Sequence, residues 1–211
     1  MPLEFRKMDK REIREAAELA TRAFDDYEYF TNWFPDKEER NRVQFSIILH
    51  EYKTNFGVAT YLIAREAGTL AAVAQLNPPS YRKPSDLQYF LHGWLKVYKA
   101  GDKKRIDDWL AMDGAAGKAC HDYQKTGEGI WYASSLTVDP SFQGTGVGTR
   151  FIEYWENYVL ENGGKQLVFF TNSEKNLNFY LKRGYELFDE REFEYNGKRM
   201  GSWSLRKRLQ R

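Results

Sequence analysis

Cysteine is nearly missing from this chain of 211 residues: Cys120 is the only one. A single thiol excludes an internal disulfide framework and a cysteine-rich metal site, and agrees with a reducing compartment, so a cytoplasmic location is expected. No other grouping of residues has metal-ligand spacing, and no metal is expected. Neither sign of charge prevails, with 32 Lys and Arg against 30 Asp and Glu, which removes any general attraction to nucleic acid or to a membrane surface. No apolar run approaches the ~20 residues of a spanning helix, and the opening residues are too charged for a signal peptide. Internal repeats and low-complexity segments are also lacking. What is present, 42% hydrophobic residues over this length, suits one buried core, and residues 1–211 are read as a single domain.

Periodicity supplies a coarse order of elements. A strand at residues 3–6 is followed by a helix at 10–24, whose Ile13, Ala17, Leu19 and Ala20 share a broad face, and by a second helix at 36–52. "VATYLIARE" and "TLAAVAQL" flank the turn "AG" as an antiparallel hairpin with the second arm the more buried. Residues 78–129 change to aromatic and charged composition broken by Pro and Gly. They read as a helical insertion with helices at 87–98 and 103–112. A regular strand–loop–helix–strand–helix pattern then runs from 130 to 183, capped by Gly184. "YELFDE" and "RMGSWSLRKR" close the chain as a hairpin through the Asn-Gly turn of "YNGK".

The loop "FQGTGVGTR" places Gly144, Gly146 and Gly148 where a strand gives way to a helix. The first amides of a helix have no carbonyl partner and carry the positive end of its dipole, and glycines ahead of it let those donors wrap around an anion. A phosphate or pyrophosphate fits. A nucleotide P-loop requires Lys and then Ser or Thr after its last glycine, whereas Thr149 and Arg150 follow Gly148. The dinucleotide fingerprint requires glycine where Thr149 stands and a carboxylate at the end of the next strand, which "QLVFFTN" lacks.

"LTVDPSFQGTGVGTRFI" resembles the acyl-CoA pyrophosphate motif of the GNAT superfamily of N-acyltransferases, with Gln143, Gly146 and Gly148 at its defining positions. "NLNFYLKRGYELF" resembles the second signature of that family: an aromatic-Tyr pair, then a basic residue and Gly-aromatic. The likeness is specific over residues 131–188 and topological before them. It implies an α/β (α+β) fold with a mixed, mostly antiparallel sheet, a splayed pair of parallel strands and flanking helices. It implies acetyl-CoA as co-substrate, held by backbone atoms of Leu136 and Val138, by the segment Gln143, Gly144, Thr145, Gly146, Val147, Gly148 and Thr149, and by Asn176 from the next helix.

The implied reaction, acetyl transfer to a primary amine, moves two protons: the amine loses one before attack, and the departing thiolate regains one. Tyr180, at the position of the family's usual donor, is the candidate acid, while its neighbour Phe179 is read as core. Where some relatives carry a carboxylate base, this strand has Ser134, Ser135 and Thr137. His121, titratable near neutrality, is the candidate base, with a water relay as the alternative; Asp139, before Pro140, reads as a turn residue, and His50 and His92 have no evident partners. Cys120 and His121 are adjacent and point in different directions, so a direct transfer in a ternary complex is preferred to a covalent cysteine route. "AFDDYEYFTNWF" could face a cationic acceptor, or its aromatics could cover core while its acids stay in solvent. A small-molecule or peptide amine is the expected partner, with room for a homodimer. The rival readings are a catalytically silent acyl-CoA sensor of the same fold and an unrelated phosphate-binding protein.

Overall fold

The computed structural model describes residues 3–210. Seven strands form one sheet: β1 (Leu3–Lys7), β2 (Thr60–Glu66), β3 (Thr69–Asn77), β4 (Ile130–Val138), β5 (Gln166–Thr171), β6 (Glu186–Tyr195) and β7 (Lys198–Arg208). Their order is β1-β2-β3-β4-β5-β7-β6, and every neighbouring pair is antiparallel except β4–β5. The helices are α1 (Ile13–Ala23), α2 (Glu28–Thr31), α3 (Lys37–Asn55), α4 (Asp86–Leu91), α5 (Leu95–Tyr98), α6 (Lys103–Gln124), α7 (Val147–Glu161) and α8 (Glu174–Leu181). The mixed, mostly antiparallel sheet with one parallel pair is the expected fold class.

Alternation along β2 and β3 sends side chains to two cores. Leu62, Ala64, Ala72, Ala74 and Leu76 meet α7 on one face, while Ile63, Leu70 and Val73 meet α1 and α3 on the other. A third cluster gathers Phe30, Trp33, Phe34, Val43, Ile106 and Trp109, which fastens α2, α3 and α6 together. The aromatics of "AFDDYEYFTNWF" therefore divide, Phe30, Trp33 and Phe34 entering this core while Tyr27 and Tyr29 turn to a cleft.

Between β3 and β4 the chain departs from expectation in two places. The helix expected at 87–98 is two short helices parted at Gly93 (φ 90°), where the His50 ring packs. His50 is buried and its Nδ1 hydrogen bonds the His92 carbonyl at 2.7 Å, so the partner not evident in the sequence is a backbone group. The helix expected to end near residue 112 runs on to Gln124. Gly114 and Gly117 suggest a stop on propensity, but Ile106, Trp109, Met112, Ala116 and Cys120 bury one side of the helix along its length, and that packing outweighs two glycines. Phe179 is half-buried beneath the Arg183 guanidinium, 3.5 Å from its ring centroid, and is not a fully buried core residue.

After α7 the turn through Gly163 and Gly164 returns the chain to β5. A Cβ at Gly164 would collide with Val159 and approach the Trp131 ring at 2.8 Å, both of them buried. Gly164→Ala is expected to destabilise the protein by about 1–3 kcal/mol, the cost of overpacking a rigid core, read as a lower midpoint in chemical denaturation with an unchanged slope.

Candidate active site

Strands β4 and β5 pair only at Ile130–Gln166, Trp131–Leu167 and Tyr132–Val168, and then part. On its other side β4 stays paired with β3, with a bulge that leaves Ser134 as the extra residue between Ala133 and Ser135. The gap beyond Tyr132 opens into a cleft of ≈1590 Å³. Tyr27 secures the mouth from the β5 side: its hydroxyl accepts from the Asn172 amide at 2.8 Å.

β4 leads from this cleft to the glycine loop. Asp139 caps the turn, accepting from the Ser141 amide at 3.0 Å, and is tied to Arg22 at 2.7 Å. This bears out its reading as a turn residue. Gly144 (φ 78°) and Gly146 (φ 88°) take the left-handed region, and Gly146 is the N-cap of α7. The amides of Val147, Gly148 and Thr149 thus begin a 15-residue helix with no preceding turn to receive them. Gln143 donates from Nε2 to the Val138 carbonyl at 3.2 Å, and Thr145 closes its hydroxyl on the Phe142 carbonyl at 2.7 Å. Gly144 and Gly146 lie on the exposed surface, with open space where a Cβ would stand. Arg183 donates to Thr149 Oγ1 and brings a cation to the same helix end.

Of the residues singled out in the sequence, Leu136, Asn176, Tyr180 and His121 line the cleft, while Val138 and the loop from Gln143 to Thr149 lie just outside it where β4 ends. Tyr180 is 8% exposed and packs at a tilt against Phe169 and edge-on against Tyr185. Burial, then the nearby Tyr27, raise its hydroxyl well above the usual tyrosine value, so it stays protonated. His121 lays its ring on Tyr132 at 4.5 Å with its edge open to the cleft. Partial desolvation, then Lys125 and Lys83, lower its pKa and leave it neutral at pH 7. Cys120 is fully buried, and burial pushes its thiol up to about 12, which removes it as a nucleophile.

Two carboxylates in the cleft escaped the sequence reading. Glu51 on α3 accepts from Tyr89 at 2.9 Å and from Asn55 at 2.8 Å, and Tyr81 in turn donates to Asn55 at 2.7 Å. Asp113 on α6 accepts from the Tyr29 hydroxyl. Burial raises both, Glu51 to about 7, with the Asp113 charge adding to the effect. The available signal was spacing: Asp113, Gly117 and His121 recur every four residues and share one helix face.

Residues 105–187 match the family model described as Acetyltransferase (GNAT) domain. The likeness to that domain thus runs from α6 through the glycine loop to Tyr180. Polyamine N-acetyltransferase of Drosophila melanogaster, an enzyme that forms N-acetylagmatine, is 16% identical, covers 99% of this chain and 100% of its own, and superposes with a TM-score of 0.63. The yncA protein of Salmonella typhimurium, solved with its cofactor acetyl-CoA, is 13% identical over 99% of this chain and 94% of its own, with a TM-score of 0.60. The ribosomal-protein-S18-alanine N-acetyltransferase of Escherichia coli is 11% identical over 99% and 94%, with a TM-score of 0.59. At these identities the likeness is one of fold. No curated protein matches the chain in sequence. No helix among the described residues is long and apolar enough to cross a membrane.

The buried setting of Glu51 has a measurable consequence. A carboxyl raised from its unfolded value, near 4.5, to about 7 contributes stability fully present below pH 4.5 and lost as pH rises through 7. Denaturation of wild type and Glu51→Gln should show the difference between them moving in favour of the variant by about 2 kcal/mol from pH 4.5 to pH 8. A constant difference would mean that Glu51 titrates normally.

Proposed function

We propose that the protein transfers an acetyl group from acetyl-CoA directly to a primary amine bound in the same cleft. The observation that carries this reading is the parting of β4 and β5 beside the glycine-capped start of α7. The unpaired flank of β4 at Leu136 offers backbone groups to an extended chain, and the amides from Gly144 to Thr149 offer donors to a pyrophosphate, with Asn176 on the facing helix. Acetyl-CoA supplies an activated acyl thioester there.

The residues of the chain then divide the proton work. Neutral His121 takes a proton from the acceptor ammonium, and Tyr180, kept protonated by burial, delivers its own to the departing sulfur. The free edge of His121 and the cleft-facing position of Tyr180 support these roles. Inert, buried Cys120 supports direct transfer over a covalent relay.

The assay is release of free CoA thiol from acetyl-CoA with a panel of amines, alongside calorimetric titration of acetyl-CoA and CoA. Both should bind, with acetyl-CoA at a hundredfold excess over Kd stabilising the fold by about 2.7 kcal/mol. No binding at millimolar ligand refutes the reading. Tyr180→Phe should lower kcat by about 10²–10⁴ with little change in acetyl-CoA affinity, because only the hydroxyl is lost. No alkaline limb should appear below pH ~10, since burial lifts this tyrosine above its reference value.

Gly146→Val tests the loop. With φ at 88° and open space around the position, the variant should remain folded at a cost of about 1–3 kcal/mol of backbone strain, while acetyl-CoA affinity falls about tenfold or more. Unchanged affinity would remove the loop from the binding site.

A further inference from the structure

We infer that the amine acceptor carries a second, persistent cationic group, held between Asp113 and Glu51 in the part of the cleft walled by Tyr132. This rests on the acetyltransferase reading above and names its substrate class: an organic dication such as an α,ω-diamine.

Two carboxylates from different helices, Glu51 on α3 and Asp113 on α6, enter one cleft. Each is positioned by hydroxyl and amide donors, Tyr89 and Asn55 for Glu51 and Tyr29 for Asp113, and neither has a cationic side chain within ion-pair distance among the described residues. Lys83 is exposed on the rim and eases both charges only from a distance. Both are half-buried, and carboxylates drawn partly out of water without a counter-ion carry a cost that a bound cation relieves.

The tyrosines around them point the same way. Tyr132 is 4% exposed and lines the cleft; its hydroxyl feels the charges of Asp113 and Glu51 but hydrogen bonds to no described residue. A free hydroxyl and ring faces in a cleft that also holds two carboxylates suit an alkylammonium, which donates up to three hydrogen bonds and is drawn to aromatic faces. The reacting amine must be neutral when it attacks, so it offers the carboxylates no charge through the chemical step, whereas a second ammonium on the same molecule keeps one positive charge beside them.

The test is calorimetric titration of α,ω-diamines of three to five carbons, matched monoamines and matched ω-amino acids into the full chain, with and without CoA, repeated with Asp113→Asn and Glu51→Gln. The best diamine should bind about 10–100-fold tighter than its monoamine, the worth of a hydrogen-bonded ion pair away from water, and the ω-amino acid should not bind. Asp113→Asn should erase the preference by weakening diamine binding more than monoamine binding. Equal binding of diamine and monoamine, a preference for the amino acid, or a preference that survives in both variants overturns the inference. The wild-type comparison stands alone if a variant fails to fold. Should the diamine bind selectively while acetyl-CoA does not bind at all, the acetyltransferase reading falls and the dication site remains.

Discussion

The structure turns on a lack of hydrogen bonds. Two parallel strands in the middle of a sheet would ordinarily pair along their length, since unpaired backbone groups are costly when buried. Here β4 and β5 pair over three residues and separate, so the carbonyl and amide groups of the later part of β4 face a cleft. The bulge at Ser134 turns β4 as it parts from β5 while its ladder with β3 continues. The cleft, and the helix end beside it, follow from that separation.

Holding a sheet open requires other groups to take over the exposed positions. The Tyr27 hydroxyl receives the Asn172 amide where β5 ends, and the pairing of Arg22 with Asp139 fixes the turn where β4 ends. Both residues come from the segment around the end of α1, so the first helix braces the two strands from one side. The long helix α6 covers the opposite part of β4 and β5 and carries Asp113 and His121 to the cleft on one face. The same element that shields the sheet thereby supplies ionisable groups to the cleft.

Much of this was legible in the sequence because it is local. The limits of β4 and β5, the AG and Asn-Gly hairpins, the glycine loop and Tyr180 all depend on period-2 alternation, turn chemistry and a short motif. The length of α6 was not legible, since Gly114 and Gly117 argue against a helix on propensity and only the tertiary burial of Met112, Ala116 and Cys120 carries it through them. Glu51 was hidden differently: on α3 it reads as one more charged helix residue, and nothing local tells that α4 and the loop before it bring Tyr89 and Tyr81 over it. The partner of His50 was unreadable because it is a carbonyl. Positions whose meaning comes from distant chain are where single-sequence reasoning stops.

The outer strand β6 bears on how this molecule keeps company with itself. It lies at one edge of the sheet, with a row of backbone donors and acceptors that another strand could join. Its sequence "ELFDEREFEY" carries five acids against one arginine. Two copies meeting edge to edge would bring these acids together, and like charges placed opposite one another repel. The strand thus disfavours joining two copies through β6 on both sides, and a shared sheet would have to run through the other edge, β1, whose Arg6 and Lys7 carry the opposite sign.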